Sequence, residues 1–380
     1  MTTRRVLMWG SLGLLAWTHA GYPLFAAAAA RVRRYRPRHD DDFTPEVALI
    51  IAAHNEEGVI EGRLANALAL DYPSGRLQIV VASDGSTDGT PAVVERFAGK
   101  GVRLLQLPRG GKVTAQNAAV AATEAEVVAF SDANSLWERD ALRLLVRNLA
   151  DREVGYVCGR VDVDVDGGAE GDSREGLYWG LELWLREQES ACGSVTAGNG
   201  AIYAVRRSAF LALGPEGSHD LGLPFRLRRS GLRSVYEPAA VAREPALATT
   251  RAEGARKVRM LSRAWWEVLR GGMLDPRGQP PLYFAALLSH RILRYGSGPL
   301  HLVLLAASVG LARRDPAARA LVALQLGFGG LALVGWRRPK APVAGAAWYY
   351  AVMTGAAVAG LARVLARGPH VTWAPAREDR

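Results

Sequence analysis

The chain has only two cysteines, Cys158 and Cys192, among 380 residues. Two thiols cannot build a disulfide framework, and these lack metal-ligand spacing, so both read as ordinary buried thiols in a reducing compartment. A basic face studded with aromatics is also missing. The net charge of +10 comes from Lys and Arg gathered beside apolar runs, which suits anionic lipid headgroups and argues against nucleic acid. No EF-hand is completed. Asp162 to Asp172 alternates Asp with Val before a Gly-Gly pair, but Ser173 stands where the twelfth-position glutamate belongs. That stretch reads as a strand with one solvated face and a turn at Gly167-Gly168.

What is present begins with long apolar runs. Residues 6–30 are long enough to cross a bilayer. Thr18-His19-Ala20 could pass for a cleavage site, but the apolar run continues beyond it, and the reading is an uncleaved anchor. Arg31, Arg33, Arg34, Arg36 and Arg38 come after it, against Arg4 and Arg5 before it. The positive-inside rule then puts the N-terminus outside and the region after the anchor in the cytoplasm. Residues 298–312, 317–336 and 341–365 read as three more membrane segments, whose basic loops do not settle their topology. Residues 282–295, carrying His290, Arg291 and Arg294, fit a helix lying in the membrane interface. The expected division is an anchor and basic linker over 1–44, a catalytic domain over 45–278, an interfacial helix over 279–296, membrane helices over 297–366 and a tail over 367–380.

Within the middle region the run Val47 to Ala53 is apolar throughout, the mark of a strand buried on both faces. A helical stretch over 57–70 comes next, then strands over 78–83, 102–107 and 126–131. Between them come a helix opening near Asp88, with Pro91 in its first turn, and another over 112–122. Such alternation predicts a parallel sheet covered on both faces, with ligands beyond the carboxyl ends of its strands. Three polar clusters fall at those ends: His54-Asn55-Glu56-Glu57, Asp84-Gly85-Ser86-Thr87-Asp88 and Asp132-Ala133-Asn134. One alone would be a solvated turn. Three on one sheet edge, with Lys112 opening a helix beside them, form a candidate site.

These residues resemble the nucleotide-sugar domain of the family 2 glycosyltransferases, an α/β domain of GT-A fold with a Rossmann-like, mostly parallel sheet. Ala52 to Glu57 and Asp84 to Asp88 are similar to the family's first two motifs, and Gly110-Gly111-Lys112 to Ala118 to its lysine stretch. Ser131 to Asn134 sits at the metal-binding D-x-D, Gly198-Asn199-Gly200 to Tyr203 at the acceptor-side loop, and His219-Asp220 at the base. The membrane flanks match members that make membrane-bound polysaccharides. The resemblance implies that Ala53, Asn55, Glu57 and Asp84 shape the nucleoside pocket. It also implies that Asp132 and Asn134 hold a divalent cation, Mg²⁺ or Mn²⁺, on the diphosphate. Asp220 would be the general base for inverting transfer from a nucleotide sugar, expected to be a UDP-sugar, to a lipid-linked or polysaccharide acceptor. Lys112 is either a second positive group at the phosphates or a solvated helix end.

Three departures stand out. Asn134 replaces the usual second aspartate, which predicts weaker metal binding. His219 replaces an acidic residue, with a structural role expected. Arg256-Lys257-Val258-Arg259-Met260 replaces Q-x-x-R-W. Arg259 could still meet the diphosphate, but the missing Trp argues against processive synthesis. Of the aromatics, Tyr178, Trp179 and Trp184 are expected on a helix over 175–190, as core or as a platform for acceptor sugars, and Trp265 and Trp266 as lipid anchors. Two rivals stay open: a sugar nucleotidyltransferase, which would want its glycine-rich loop on the first strand, and a non-catalytic nucleotide-binding subunit of a synthase complex.

Overall fold

The computed structural model describes residues 2–164, 173–245, 250–338 and 341–372. The expected turn at Gly167-Gly168 lies outside them. Eight strands form one sheet: β1 (Val47–Ala53), β2 (Leu77–Asp84), β3 (Val102–Leu107), β4 (Val127–Asp132), β5 (Leu136–Trp137), β6 (Val154–Asp164), β7 (Ile202–Arg206) and β8 (Arg233–Pro245). Their order is β3-β2-β1-β4-β7-β6-β8-β5. The first four strands are parallel, with Val47 beside both Leu77 and Val127. β7 runs antiparallel to β4 and β6, β8 is parallel to β6, and β5 pairs antiparallel with β8.

Every residue of β1 is buried, because helices cover both faces. Ile60 and Leu64 of the helix Glu57–Leu68 pack on one face with Leu142 and Leu145. Ala115 and Ala119 of the helix Lys112–Ala121 pack on the other with Leu223 and Leu227. Each large side chain so buried contributes roughly 1.5–3 kcal/mol. This packing fixes where the carboxyl ends of β1, β2 and β4 stand. Those ends carry the polar clusters.

The flanks are helical. The N-terminal helix runs as Thr3–Ala16, a π-turn at Trp17–Gly21, and Tyr22–Arg33. Its Met8 and Leu15 pack on Leu304 and Ala307 of the helix Ser297–Leu311. Among the described residues, Pro316–Arg337 and Pro342–Arg367 are long and apolar enough to cross a membrane, and Pro281–Tyr295 with Ser297–Leu311, bent by 64°, would make a third span. The basic residues before Ser297 do not point to lipid headgroups as expected. His290 and Arg291 are buried against Glu182 and Glu189 of the helix Ser173–Ala191. Trp265 is not a lipid anchor either: it is buried, and its indole N–H donates to the carbonyl of Ala357 at 2.9 Å. Trp179 bonds the carbonyl of Val161, whereas Trp184 is exposed. Cys158 and Cys192 are free thiols, and burial raises both to about 11.

Candidate active site

The first two loops lock onto each other. Asn55 sits in the left-handed region, φ 55°, a conformation that Asn tolerates better than most residues. Its side-chain oxygen accepts from the amide of Thr87 at 2.8 Å. Glu57 opens its helix, and its carboxylate accepts from the amide of Gly89 at 3.1 Å. The amides of Glu56 and Glu57 donate in turn to Thr90 and Asp88. Ala53, at the end of β1, lies beside Ser83 of β2. Asn55 and Glu57 therefore set the shape of this end of the site.

Asp84 is buried at the end of β2 and organises the lysine loop. It accepts from the amide of Gly110 at 2.7 Å and of Gly111 at 3.0 Å, and pairs with Arg109 at 2.7 Å. Gly111 has φ 92°, which a side chain would strain. The loop delivers Lys112 to Asp132, and the two form an ion pair at the end of β4. Asn134, half-buried two residues on, makes no side-chain hydrogen bond among the described residues.

The acceptor-side loop meets this edge from the opposite direction. The amide of Gly198 donates to the carbonyl of Asp220 at 2.7 Å, and the carboxamide of Asn199 accepts from Ala201. Asp220 lies in the first turn of the helix His219–Arg229, where the helix dipole favours a carboxylate, and Ser218 Oγ donates to its Oδ1. A side chain on Gly200 would start 3.8 Å from both the Asp220 carboxyl carbon and Lys112 Nζ. Asp220, Lys112 and Asp132 thus share one small space around a residue without a side chain.

Residues 48–214 match the family model Glycosyl transferase family 2. This region is a family 2 glycosyltransferase domain. Beta-monoglucosyldiacylglycerol synthase of Nostoc sp. (strain PCC 7120 / SAG 25.82 / UTEX 2576) is 30% identical over 253 residues, 62% of this chain and 52% of its own length. An N-acetylglucosaminyltransferase of Rhizobium meliloti (strain 1021) is 28% identical over 219 residues, 52% of this chain and 50% of its own. The chain spans about half the length of these curated relatives. The mannosyltransferase PcManGT from Pyrobaculum calidifontis, solved with GDP-Man and Mn²⁺, superposes with a TM-score of 0.73 at 25% identity, over 95% of this chain and 99% of that one. The sheet and its helices have the GT-A fold.

Two charged residues beside these loops were missed by the sequence reading. Glu244, near the end of β8, accepts from Ser135 Oγ, while the amide of Ser135 donates to the carbonyl of Asp132. Burial and the Asp132 charge both raise the Glu244 carboxyl above its usual range. Two carboxylates that repel each other, with a carboxamide between them in sequence, suit a hard divalent cation. Lys112 stands in for that positive charge here. Among the described residues no three His, Cys, Asp or Glu side chains cluster as a metal site; the oxygen donors at this edge are Asp132, Glu244 and, two residues from Asp132 in sequence, Asn134. Arg263 is the second addition. Burial lowers its pKa, and Asp220 opposes that; its N–H groups donate to the carbonyls of His370 and Val371. Arg259, one turn earlier, is half-buried beside Arg256, with its pKa lowered by burial and by that like charge. His219 takes the structural role: it is buried between Tyr203 and Asn117, and burial, with Lys112 and Arg263, lowers it to about 3.

Proposed function

We propose that this chain is an inverting glycosyltransferase, anchored in the inner membrane, that moves a sugar from a nucleoside-diphosphate sugar to a lipid acceptor at the cytoplasmic face. The observation that carries this is the convergence of Lys112 and Asp220 on Gly200, one from the donor side and one from the acceptor side. Asn55, Glu57 and Asp84 shape the nucleoside end. Lys112 holds negative charge on the diphosphate, and Arg259 and Arg263 add to the positive field nearby.

With Ser218 bonded to Oδ1, the other oxygen of Asp220 is left to accept the proton of the acceptor hydroxyl. As that O–H bond breaks, the acceptor oxygen bonds to the anomeric carbon, and the bond from that carbon to the diphosphate oxygen breaks. The nucleoside diphosphate leaves with the electron pair, and one displacement inverts the centre. A divalent cation held by Asp132, Asn134 and Glu244 would neutralise charge on the leaving diphosphate. The glycines at 198 and 200 keep the loop close to Asp220 without blocking the approach.

The lipid acceptor is supported by two facts. Membrane-type helices pack against the acceptor-side half of the domain, and a relative is a glucosyldiacylglycerol synthase. The test is nucleotide release and product formation by the detergent-purified chain. The panel combines UDP- and GDP-sugars, Mn²⁺, Mg²⁺ or EDTA, and diacylglycerol, polyprenyl phosphate or soluble glycans. We expect metal-dependent transfer to a lipid, lost in Asp220→Asn with nucleotide binding retained. Equal behaviour of wild type and Asp220→Asn refutes the base; transfer only to soluble acceptors refutes the lipid.

A further inference from the structure

The helix Ser173–Ala191 buries two carboxylates that the transfer chemistry does not use. Glu189 Oε2 accepts from the amide of Thr196 at 2.9 Å and from its hydroxyl at 2.8 Å. Its Oε1 accepts from Tyr22 Oη at 2.6 Å and lies 2.7 Å from His290 Nδ1. Arg291 closes the arrangement: Nε donates to Thr196 Oγ1 at 2.9 Å, and Nη2 pairs with Glu182 at 2.8 Å. Tyr283 Oη donates to the neighbouring carbonyl of Val195 at 3.2 Å. Burial would raise the Glu189 carboxyl, but His290 and Arg291 hold it down at about 2, so it serves as an ionised acceptor.

Three parts of the chain distant in sequence therefore meet around Thr196, which is fully buried. Tyr22 belongs to the N-terminal helix, and Tyr283, His290 and Arg291 to the segment leading into the C-terminal membrane helices. Two residues beyond Thr196, Gly198 bonds the backbone of Asp220. A loop with glycines at 198 and 200 has little stiffness of its own. Its position is set where it is tied, at Thr196 on one side and Asp220 on the other. Both π-turns of the flanking helices lie at this junction, and such turns are frequent at functional sites.

We propose that Glu189 and Arg291 are positioning residues for the acceptor: through Thr196 they tie the acceptor loop to the membrane-flanking helices. Acceptor binding then depends on how those helices are seated, while donor binding does not. This rests on the reading of residues 198–200 as the acceptor side.

The test compares Thr196→Val, Thr196→Ser, Glu189→Gln and Arg291→Lys in the full-length, detergent-purified chain. It uses the donor and lipid that the wild type turns over in the donor and acceptor panel. Donor hydrolysis without acceptor and nucleotide affinity are measured alongside transfer. Losing a hydrogen bond to a charged group predicts an acceptor KM raised about tenfold in Thr196→Val and Glu189→Gln. Donor KM and hydrolysis are expected to stay within about twofold, because the donor loops are tied elsewhere. Thr196→Ser keeps the hydroxyl and is expected to match wild type. Glu189→Gln combined with Thr196→Val is expected to cost no more than either alone. Unchanged acceptor KM in Thr196→Val overturns the proposal, as does a parallel loss of donor and acceptor constants. Thr196→Val is nearly isosteric and keeps the test open if the charge variants do not fold. A wild type that hydrolyses donor but transfers to no lipid removes the acceptor reading itself, a result distinct from any mutant pattern.

Discussion

His219 gives the sharpest pH prediction. Asn117 donates its side-chain amide to Leu213, so its oxygen is free to accept from His219 Nε2–H at 3.1 Å. That leaves Nδ1 to accept from Tyr203 Oη at 3.1 Å. Phe130 and Phe210 meet the ring edge-on, and nothing there welcomes a second proton. Burial, then Lys112 and Arg263, lower the pKa to about 3, against about 6.5 for an unfolded histidine. Between those values the unfolded chain binds a proton that the folded chain refuses, so stability falls as pH drops from 6.5 towards 3. At about 1.4 kcal/mol per unit, going from pH 8 to pH 5 costs on the order of 2 kcal/mol. For a domain of this size that lowers Tm by roughly 4–8 °C. Thermal unfolding followed by tryptophan fluorescence, at several pH values in one detergent, measures it. His219→Gln lacks the titration, and carboxylates common to both proteins cancel in the comparison. The two curves should converge at low pH by that amount. Parallel curves would show that His219 is not held neutral, and would sink the tautomer argument.

Asp132→Asn is expected to abolish the Mn²⁺-dependent part of nucleotide affinity in calorimetry, and Glu244→Gln to weaken it about tenfold; full Mn²⁺ dependence in both would remove the donor set. A methyl group on Gly198 would run into the hydroxyl of Tyr156, so Gly198→Ala should slow transfer about 10²-fold. Adding Tyr156→Leu, which removes the hydroxyl together with the ring edge 2.7–2.8 Å away, should restore part of that rate, and no restoration would disprove the steric cause. Arg63 is fully buried, bonds Ser131 and Asn66, and lies over Trp137 with its pKa lowered by burial to about 9. Arg63→Met is therefore expected to stay within about 1 kcal/mol of wild type in thermal unfolding, and Arg63→Ala to lose about 3 kcal/mol.

The donor half was readable because its central strands, β1 and β4, are buried on both faces. β1 and β3 fall at their expected bounds, and β2 and β4 within a residue. A central strand covered on both sides is apolar throughout and ends where a polar cluster starts, and the edge strand β3 is bounded by the glycines and proline around it. Glu244 had no such signal. It reaches Asp132 only because β8 folds back beside β5, placing Arg243 opposite Leu136, a pairing about a hundred residues apart with no local signature. The same reasoning explains His290 and Arg291. Basic residues on an amphipathic helix look alike whether they meet lipid headgroups or carboxylates on a distant helix. Glu182 and Glu189 decided between the two, and their spacing within their own helix carried no hint of it. Arg259 and Arg263 lie one helical turn apart, so composition could not choose between them. The seating of the helix Thr250–Leu269 against residues 370–371 brought Arg263 closer to the Asp220 charge.

These differences share a direction. The donor loops are held mainly by one another: Asn55 by Thr87, Glu57 by Gly89, Gly110 and Gly111 by Asp84. Short-range ties of this kind are encoded by motifs, which is why the motifs were visible. The acceptor loop is tied through Thr196 to helices from both ends of the chain, and those ties exist only once the whole chain has folded. A site built this way keeps a fixed pocket for a soluble nucleotide. On the proposed function, it leaves the membrane flank to set the geometry for an acceptor that arrives through the lipid.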